Sequence, residues 1–145
     1  MSWKDYVEKS LRGNDGEDGS YMAGVFSLNG APLAVHPSEF VPTDVQVKRL
    51  IDVIDGKDLE QLQTNGCIFH GMKFAFLKTD VNMVCLQRKR MKEGEELLEN
   101  SRWPLCAYKT KQCILIRISK LGPVSGRENT GKTGQIGDYL NANLS

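Results

Sequence analysis

The chain has 145 residues, of which 40% are hydrophobic, and its 19 basic and 18 acidic side chains give a formal net charge of +1 at pH 7. A chain of this length can bury one compact core and is too short for two ordinary domains, so we expect a single domain over residues 1–145. The nearly balanced charge excludes the global electrostatic field that nucleic-acid and membrane-surface binders use. We therefore expect no nucleic-acid partner.

The cysteines lie in apolar runs, and none belongs to a Cys-x-x-Cys pair or neighbours a histidine cluster. This pattern indicates buried thiols in a reducing compartment rather than disulfides or a metal site. No stretch approaches the roughly 18 apolar residues that a membrane-spanning helix needs, and the first residues are not typical of a signal peptide. We expect a cytoplasmic monomer without a metal or a cofactor. The four thiols are those of Cys67, Cys85, Cys106 and Cys113.

The first predicted element is a short amphipathic helix at the start of the chain. Trp3, Tyr6, Val7 and Leu11 are spaced i, i+3, i+4 and i+8, which places one aromatic and apolar stripe on a helix. The glycine-rich polar run 13–20 then favours a loop over continued helix.

A hairpin and a second helix follow. The apolar runs 22–28 and 31–35 flank Asn29-Gly30, whose residues both tolerate positive φ, and this arrangement predicts a β-hairpin. Thr43 and its neighbours open a helix that Gly56 ends. The apolar residues of this helix are spaced to face a core, namely Val45, Val47, Leu50, Ile51 and Ile54.

The rest of the chain is predicted to be a meander of short strands followed by a last helix. The connections between the strands are too short for parallel crossovers, so we expect antiparallel pairing. Their apolar runs predict a sheet that is covered on both faces. The predicted strands are 67–69, 73–77, 83–87, 105–108 and 113–118, with a charged excursion at 91–103 that has a helical turn at 95–99. A loop is predicted at 122–130, and the last helix presents Ile136, Tyr139, Leu140 and Leu144. This order of elements predicts the α+β class.

Residues 126–133 match the phosphate-loop pattern G-x-x-x-x-G-K-[ST], with Gly126, Gly131, Lys132 and Thr133 at the fixed positions. Such a loop must follow a strand of a parallel sheet directly and needs an acidic magnesium ligand from a later strand. Here the nearest predicted strand ends at about residue 118, and only 12 residues follow Thr133. We expect a glycine-rich loop with a helix start, and the alternative is a small nucleotide-binding protein.

Three segments of the chain resemble the profilin family. They are the opening 1–7, with Trp3 and Tyr6 three apart; the middle strand 71–76, with its G-x-K pattern; and the closing 136–140. Their order and spacing also match, so the resemblance covers nearly the whole chain. It implies a central antiparallel sheet of about six to seven strands, with the N- and C-terminal helices packed together on one face and a further helix on the other.

The resemblance implies a groove for polyproline between the two terminal helices, because flat aromatic faces pack well on a polyproline II ribbon. Where the family has a further tryptophan this chain has Leu33, and its closing residue is Ser145 rather than a large side chain. We therefore expect weak or altered binding of proline-rich proteins. Ordinary helix-to-sheet packing is the alternative role for these aromatics. The implied groove residues are Trp3, Tyr6, Leu33, Tyr139 and Leu140.

The resemblance also implies a surface for monomeric actin on the opposite side of the sheet from the terminal helices. A row of basic side chains suits an acidic partner, although a solvated sheet face is the commoner role of such charges. The implied actin-binding residues are Lys73, Ala75, Phe76, Lys78, Arg88, Lys89, Thr130 and Gly134. The basic cluster 88–92 additionally suggests phosphoinositide binding. The acidic residues Glu93, Glu95 and Glu96 follow this cluster directly and argue against such binding.

The function that the resemblance implies is stoichiometric regulation of actin assembly and nucleotide exchange in the cytoskeleton. The segment 91–103 is longer than is usual in the family. No catalytic residues are implied, because His36 and His70 stand alone, without a nearby nucleophile pattern. A scaffold of the same architecture without actin affinity is the remaining alternative.

Overall fold

A computed structural model describes residues 3–5, 7, 21–92 and 94–144 of the chain. Its centre is an antiparallel sheet of seven strands in the order β2-β1-β7-β6-β5-β4-β3. The strands are β1 (Tyr21–Ser27), β2 (Pro32–His36), β3 (Cys67–Phe69), β4 (Met72–Asp80), β5 (Met83–Lys89), β6 (Pro104–Lys109) and β7 (Cys113–Ser119).

Helices cover both faces of this sheet. They are α1 (Trp3–Asp5), α2 (Asp44–Ile54), α3 (Leu59–Asn65) and α4 (Gly126–Leu144), and short 3₁₀ turns lie at Glu99–Ser101 and Pro123–Ser125. We call the side that packs against α2 and α3 the α2 face, and the side that packs against α1 and α4 the α4 face. In the described part of the chain no helix is long and apolar enough to cross a lipid bilayer.

The α2 face holds the larger apolar core. Four phenylalanines, Phe26, Phe40, Phe69 and Phe74, are fully buried there together with Leu50 and Leu62 of the helices. The Phe40 ring lies 6.1 Å from that of Phe26 and 6.0 Å from that of Phe69, both at steep angles that suit aromatic quadrupoles. Through these contacts β1, the segment before α2 and β3 all pack into one core.

The start of α2 is fixed by a capping box. The Thr43 side chain accepts a hydrogen bond from the Gln46 backbone N–H, and the Gln46 side chain accepts one from the Thr43 N–H. Two of the otherwise unsatisfied helix-terminal donors are thereby paired. Gly30 in the hairpin turn has φ +88, and a Cβ there would lie 2.7 Å from the Asp44 backbone, so glycine also allows the turn to approach α2.

The α4 face is built around close contact between α4 and the strands. Gly137 lies directly on the Tyr108 ring of β6, and any Cβ at this position would overlap that ring. One residue on, the Asp138 carboxylate accepts a hydrogen bond of 2.5 Å from the Tyr108 hydroxyl. The glycine at position 137 and the hydrogen bond to Asp138 therefore together fix the position and rotation of α4 on β6.

A buried polar network anchors the first half of α4. The Asn129 side chain accepts a hydrogen bond from the Arg117 guanidinium and donates to the backbone carbonyls of Pro104 and Arg117. The guanidinium also stacks over the Tyr21 ring, with its central carbon 3.9 Å from the ring centroid. Burial lowers the pKa of Arg117, and the nearby Tyr21 and Glu128 oppose that shift. These contacts offset part of the cost of burying a cation.

Most predicted elements are confirmed, with three differences. The α+β class, the hairpin, α2, and the five antiparallel strands from β3 to β7 agree with the sequence analysis. Helix α3 was not predicted. The predicted loop at 122–130 is wrong, because α4 already begins at Gly126, and the helical turn expected at 95–99 lies at Glu99–Ser101. For the first predicted helix, Trp3–Asp5 is helical, whereas Tyr6 and Leu11 lie outside the described residues.

Candidate functional site

The phosphate-loop pattern lies entirely within a helix. All of residues 126–133 belong to α4, and the strand that precedes them, β7, is antiparallel to both of its neighbours. The Thr133 hydroxyl, which a phosphate loop would offer to magnesium, is buried and donates to the Asn129 carbonyl of its own helix. The backbone amides of a helix interior cannot wrap around phosphates, so the geometry gives no support to nucleotide binding by this motif.

A cavity of about 470 Å³ opens where the N-terminal half of α4 crosses β4, β5 and β6. One wall comes from α4, with Arg127 and Thr130, and another from β4, with Leu77 and Lys78. Cys85 and Cys106 are part of its floor. Of the predicted actin-binding residues, Lys78 of β4 and Thr130 of α4 line this cavity.

A β-bulge in β4 determines the face of the sheet on which Lys78 lies. Phe76 pairs with Leu86 and Lys78 with Cys85, so Leu77 is an extra residue in the ladder and is 52% exposed. Without the bulge Lys78 would share the α2 face with Phe76, because side chains alternate along a strand. The bulge turns Lys78 to the α4 face beside Cys85.

The predicted actin-binding residues separate into two groups. Lys73, Ala75 and Lys89 share the face of Lys78, as their cross-strand register shows. Thr130 of α4 lies on this face too, with its Oγ1 3.7 Å from the Cys85 Sγ. We call Lys73, Ala75, Lys78, Lys89 and Thr130 the lysine surface. Gly134, one turn further along α4, lies against the Met83 side chain, and a Cβ there would be 3.5 Å from it.

The other two predicted actin-binding residues point to the α2 face. Phe76 packs against the larger core, and the Arg88 guanidinium lies 4.8 Å from the centroid of the Trp103 ring. The expectation that the whole set lies on the opposite side of the sheet from the terminal helices is therefore wrong. α2 and α3 cover the opposite side, and the lysine surface shares its face with α4.

A smaller basic pocket of about 280 Å³ borders the lysine surface. It lies where β4 begins and β5 ends, and its lining contains four basic side chains, three of which come from the cluster 88–92. Like charges this close raise the local attraction for an anion. The lining residues are Lys73, Lys89, Arg90, Met91 and Lys92.

The predicted polyproline residues differ in how much surface they expose. Trp3 is partly buried in the same cluster as Leu140, so the two ends of the chain pack on one face as predicted. Tyr139 is 51% exposed, whereas Leu140 is fully buried and offers no surface to a ligand. Leu33 is the unpaired residue at a shift in the β1–β2 register and is 40% exposed. Tyr6 lies outside the described residues.

Two thiols meet on the floor of the cavity. Cys85 and Cys106 lie directly opposite each other in the β5–β6 ladder, with their Sγ atoms 3.3 Å apart. The Thr130 Oγ1 lies 3.2 Å from the Cys106 Sγ and 3.7 Å from the Cys85 Sγ. The cysteines were predicted as buried thiols with no two of them paired, because the register that brings these two together is not visible in the spacing of 21 residues.

Comparisons with known proteins decide the family. The profilin family model matches residues 1–144 of the chain. Profilin-1 of Entamoeba histolytica is 26% identical over 141 residues, which are 97% of this chain and 96% of that protein. The chain belongs to the profilin family. Profilins are actin-binding regulators of the cytoskeleton, they bind proline-rich segments, and they form a family of binding proteins rather than enzymes.

Solved profilin structures show the same fold. Profilin II of Acanthamoeba castellanii has a TM-score of 0.72 at 20% identity, covering 99% of this chain and 100% of that one. Mouse profilin IIa, in complex with a double repeat from the FH1 domain of mDia1, has a TM-score of 0.74 at 21% identity and full coverage of both chains. The profilin fold that the resemblance implied is confirmed.

Proposed function

We propose that this chain binds monomeric actin through the lysine surface and regulates filament assembly. The observation that supports this most is that Lys78 and Thr130 line one cavity, with Lys73 and Lys89 on the same face of the sheet. Basic side chains on a surface of this kind attract an acidic partner and orient its approach. The neighbouring cavity offers apolar area from Leu77 for contact with the partner.

The proposed mechanism is binding without chemistry. By covering one end of an actin monomer, the protein blocks spontaneous nucleation and still permits addition of the complex to one filament end. Nucleotide exchange accelerates if the protein binds better to the actin conformation with the more open nucleotide cleft, because only differential affinity shifts a conformational equilibrium.

Pyrene-actin assembly with the Lys73→Glu and Lys78→Glu variants tests this proposal. Exposed ion pairs contribute about 0–1 kcal/mol each, so we expect each charge reversal to weaken actin binding by about three- to tenfold. Lys57→Glu is the matched control, because Lys57 is exposed in the connection between α2 and α3, away from the lysine surface. If the unmodified protein leaves nucleation unchanged, or if the control loses as much affinity as the two variants, the proposal fails.

We further propose weak binding of proline-rich segments by the terminal groove. Trp3 and Tyr139 offer aromatic surface, whereas Leu33 supplies apolar area without the flat ring or the N–H donor of a tryptophan. Titration with a polyproline peptide, followed by isothermal titration calorimetry, should give a lower affinity than a profilin with a full aromatic set. Leu33→Trp should strengthen binding and Trp3→Ala should abolish it. An unchanged affinity in both variants would exclude this groove.

Phosphoinositide binding is proposed at the basic pocket beside the lysine surface. Three of its basic side chains, those of Lys89, Arg90 and Lys92, come from one stretch of chain and face the same opening. We expect the protein to co-sediment with vesicles containing phosphatidylinositol bisphosphate, and the double variant Arg90→Glu, Lys92→Glu to lose this binding. Equal binding to phosphatidylserine vesicles of the same charge would show a nonspecific electrostatic attraction instead.

A further inference from the structure

We infer that Cys85 and Cys106 form an oxidisable dithiol site, which closes to a disulfide with a hydroperoxide and binds trivalent arsenicals in its reduced form. The site lies on the floor of the cavity between α4 and the strands β4 to β6. It stands independently of actin binding, because it requires only the two thiols and the cavity.

The geometry of the pair favours closure. Residues directly opposite in an antiparallel ladder have Cβ atoms about 4.5–5.5 Å apart, close to the range that disulfides span. The two Sγ atoms are 3.3 Å apart, and a disulfide bond of about 2.05 Å needs an approach of roughly 1 Å. Small side-chain rotations can supply this movement, so the strands need not separate.

The cavity gives a small oxidant access to thiols that are otherwise covered. Cys85 is 3% exposed and Cys106 is 1% exposed, yet both line an opening of about 470 Å³. Cys67 and Cys113 are also buried, but neither lines this cavity, and Cys113 lies 3.2 Å from the Thr110 hydroxyl. Among the four thiols, only Cys85 and Cys106 therefore combine a thiol partner with a route to solvent through this cavity.

The surroundings assign different roles to the two thiols. The hydrogen bond from the Cys106 thiol lowers the pKa of Cys85 to about 7 against the effect of burial, with further help from the Thr130 hydroxyl and the Lys78 charge. The same hydrogen bond and burial raise the pKa of Cys106. Cys85 is thus the thiolate that attacks first, and Cys106 is the thiol that resolves the product.

The reaction balances in two steps. The Cys85 thiolate attacks one oxygen of the hydroperoxide, the O–O bond breaks, and the products are a sulfenic acid on Cys85 and an alkoxide or hydroxide that takes a proton. Cys106 then gives up its proton and attacks the Cys85 sulfur, the S–O bond breaks, and the leaving hydroxide becomes water. Overall, two thiols and one hydroperoxide give a disulfide, an alcohol or water, and a second water.

Oxidation of the reduced, folded protein with hydrogen peroxide tests the inference. We expect two of the four thiols to be lost, counted with a thiol reagent after denaturation, and peptide mass spectrometry to find a Cys85–Cys106 disulfide. Cys67→Ala is the matched control and should lose two of its three thiols at the same rate. A thiol count that stays at four, or a disulfide between other cysteines, would overturn the site.

Two single variants separate the roles of the thiols. Cys85→Ser should lose thiols at least about tenfold more slowly than the unmodified protein, whereas Cys106→Ser should accumulate a sulfenic acid that dimedone traps on Cys85. Circular dichroism before oxidation establishes that each variant is folded. Oxidation of both variants at the rate of the unmodified protein would contradict the inference.

Phenylarsine oxide provides a second readout that needs no oxidation. A trivalent arsenical bridges two thiols at this separation, so binding should raise the melting temperature of the unmodified protein and of Cys67→Ala. It should leave Cys85→Ser and Cys106→Ser unchanged. A thermal shift that survives in either serine variant would show that the arsenical binds elsewhere and would overturn this part of the inference.

Discussion

The two faces of the sheet differ in what they bury. On the α2 face the core consists mainly of aliphatic side chains and of phenylalanines that meet Phe40 at steep angles, with Cys67 as its one thiol. On the α4 face the apolar cluster is mixed with thiols, and next to it lie a buried guanidinium, the Asn129 amide and the Thr133 hydroxyl. Apolar burial supplies most of the stability of a domain, whereas polar groups in fixed positions supply specific geometry. The α2 face therefore mainly stabilises the fold, and the α4 face mainly positions the candidate sites.

The largest effect is expected on the α2 face, from Phe40→Ala. Truncation of a fully buried phenylalanine in contact with Phe26 and Phe69 should lower the free energy of unfolding by about 3–5 kcal/mol. Urea denaturation followed by circular dichroism measures this loss. Phe40→Leu is the control and should cost less than Phe40→Ala, because it leaves a smaller cavity. A loss below about 1 kcal/mol for Phe40→Ala would show that this face is not the main source of stability.

The next largest effect is expected on the α4 face, from Asn129→Ala. Asn129→Ala removes the acceptor of the Arg117 guanidinium and two donors to backbone carbonyls, so we expect a loss of about 1.5–3 kcal/mol in the free energy of unfolding. Thr133→Val removes only a hydrogen bond within α4 and should cost about 1 kcal/mol or less. Equal losses in the two variants, measured by urea denaturation, would contradict a special role for the Arg117 network.

Two glycines of the same helix should respond in opposite directions. Gly137→Ala forces a methyl group into the Tyr108 ring and should lower the free energy of unfolding by about 1–3 kcal/mol. Gly131→Ala adds a methyl group in open space within α4 and should raise it by about 0.5–1 kcal/mol. Thermal unfolding of both variants measures the contrast. A Gly137→Ala protein as stable as Gly131→Ala would mean that α4 does not pack on β6 as described.

The smallest effect is a pH dependence at the edge of the α2 face. Burial lowers the pKa of His70, whose ring lies 5.1 Å from that of Phe40. The unfolded state therefore binds the proton more readily, and stability contributed by neutral His70 should fall as the pH drops below about 6.5. Urea denaturation between pH 7.5 and 5 should show a shallower decline for His70→Asn, since asparagine tolerates the φ of +51 found here. An identical decline would assign the pH dependence to other groups.

The α2 face was the easier one to predict from sequence. The apolar runs, the Asn29-Gly30 turn and the helix start at Thr43 all favour the structures that form. Helix α3 was missed because its segment offers only Leu59 and Leu62 as apolar signals, and its N-cap Asp58 makes no side-chain capping bond. A short helix that depends on tertiary packing leaves little trace in local sequence.

The α4 face was harder to predict from sequence, because its features depend on packing and strand register. Gly126 and Gly131 disfavour a helix by intrinsic propensity, so the first turns of α4 were taken for a loop. Gly137 is needed because Tyr108 occupies the space of its side chain, a requirement that only the packed structure reveals. The direction of Lys78 depends on the bulge at Leu77, and the Cys85–Cys106 pair depends on strand register, so neither follows from residue spacing.

Helix α4 connects the two candidate binding surfaces as one rigid rod. Thr130 borders the cavity and Tyr139 lies at the proposed proline groove, nine residues and therefore about 14 Å further along the same axis. A ligand that displaces α4 along this axis at one end necessarily moves the other end by the same amount. Any coupling between the two ligands would then be reciprocal, so the effect of actin on peptide affinity must equal the effect of the peptide on actin affinity.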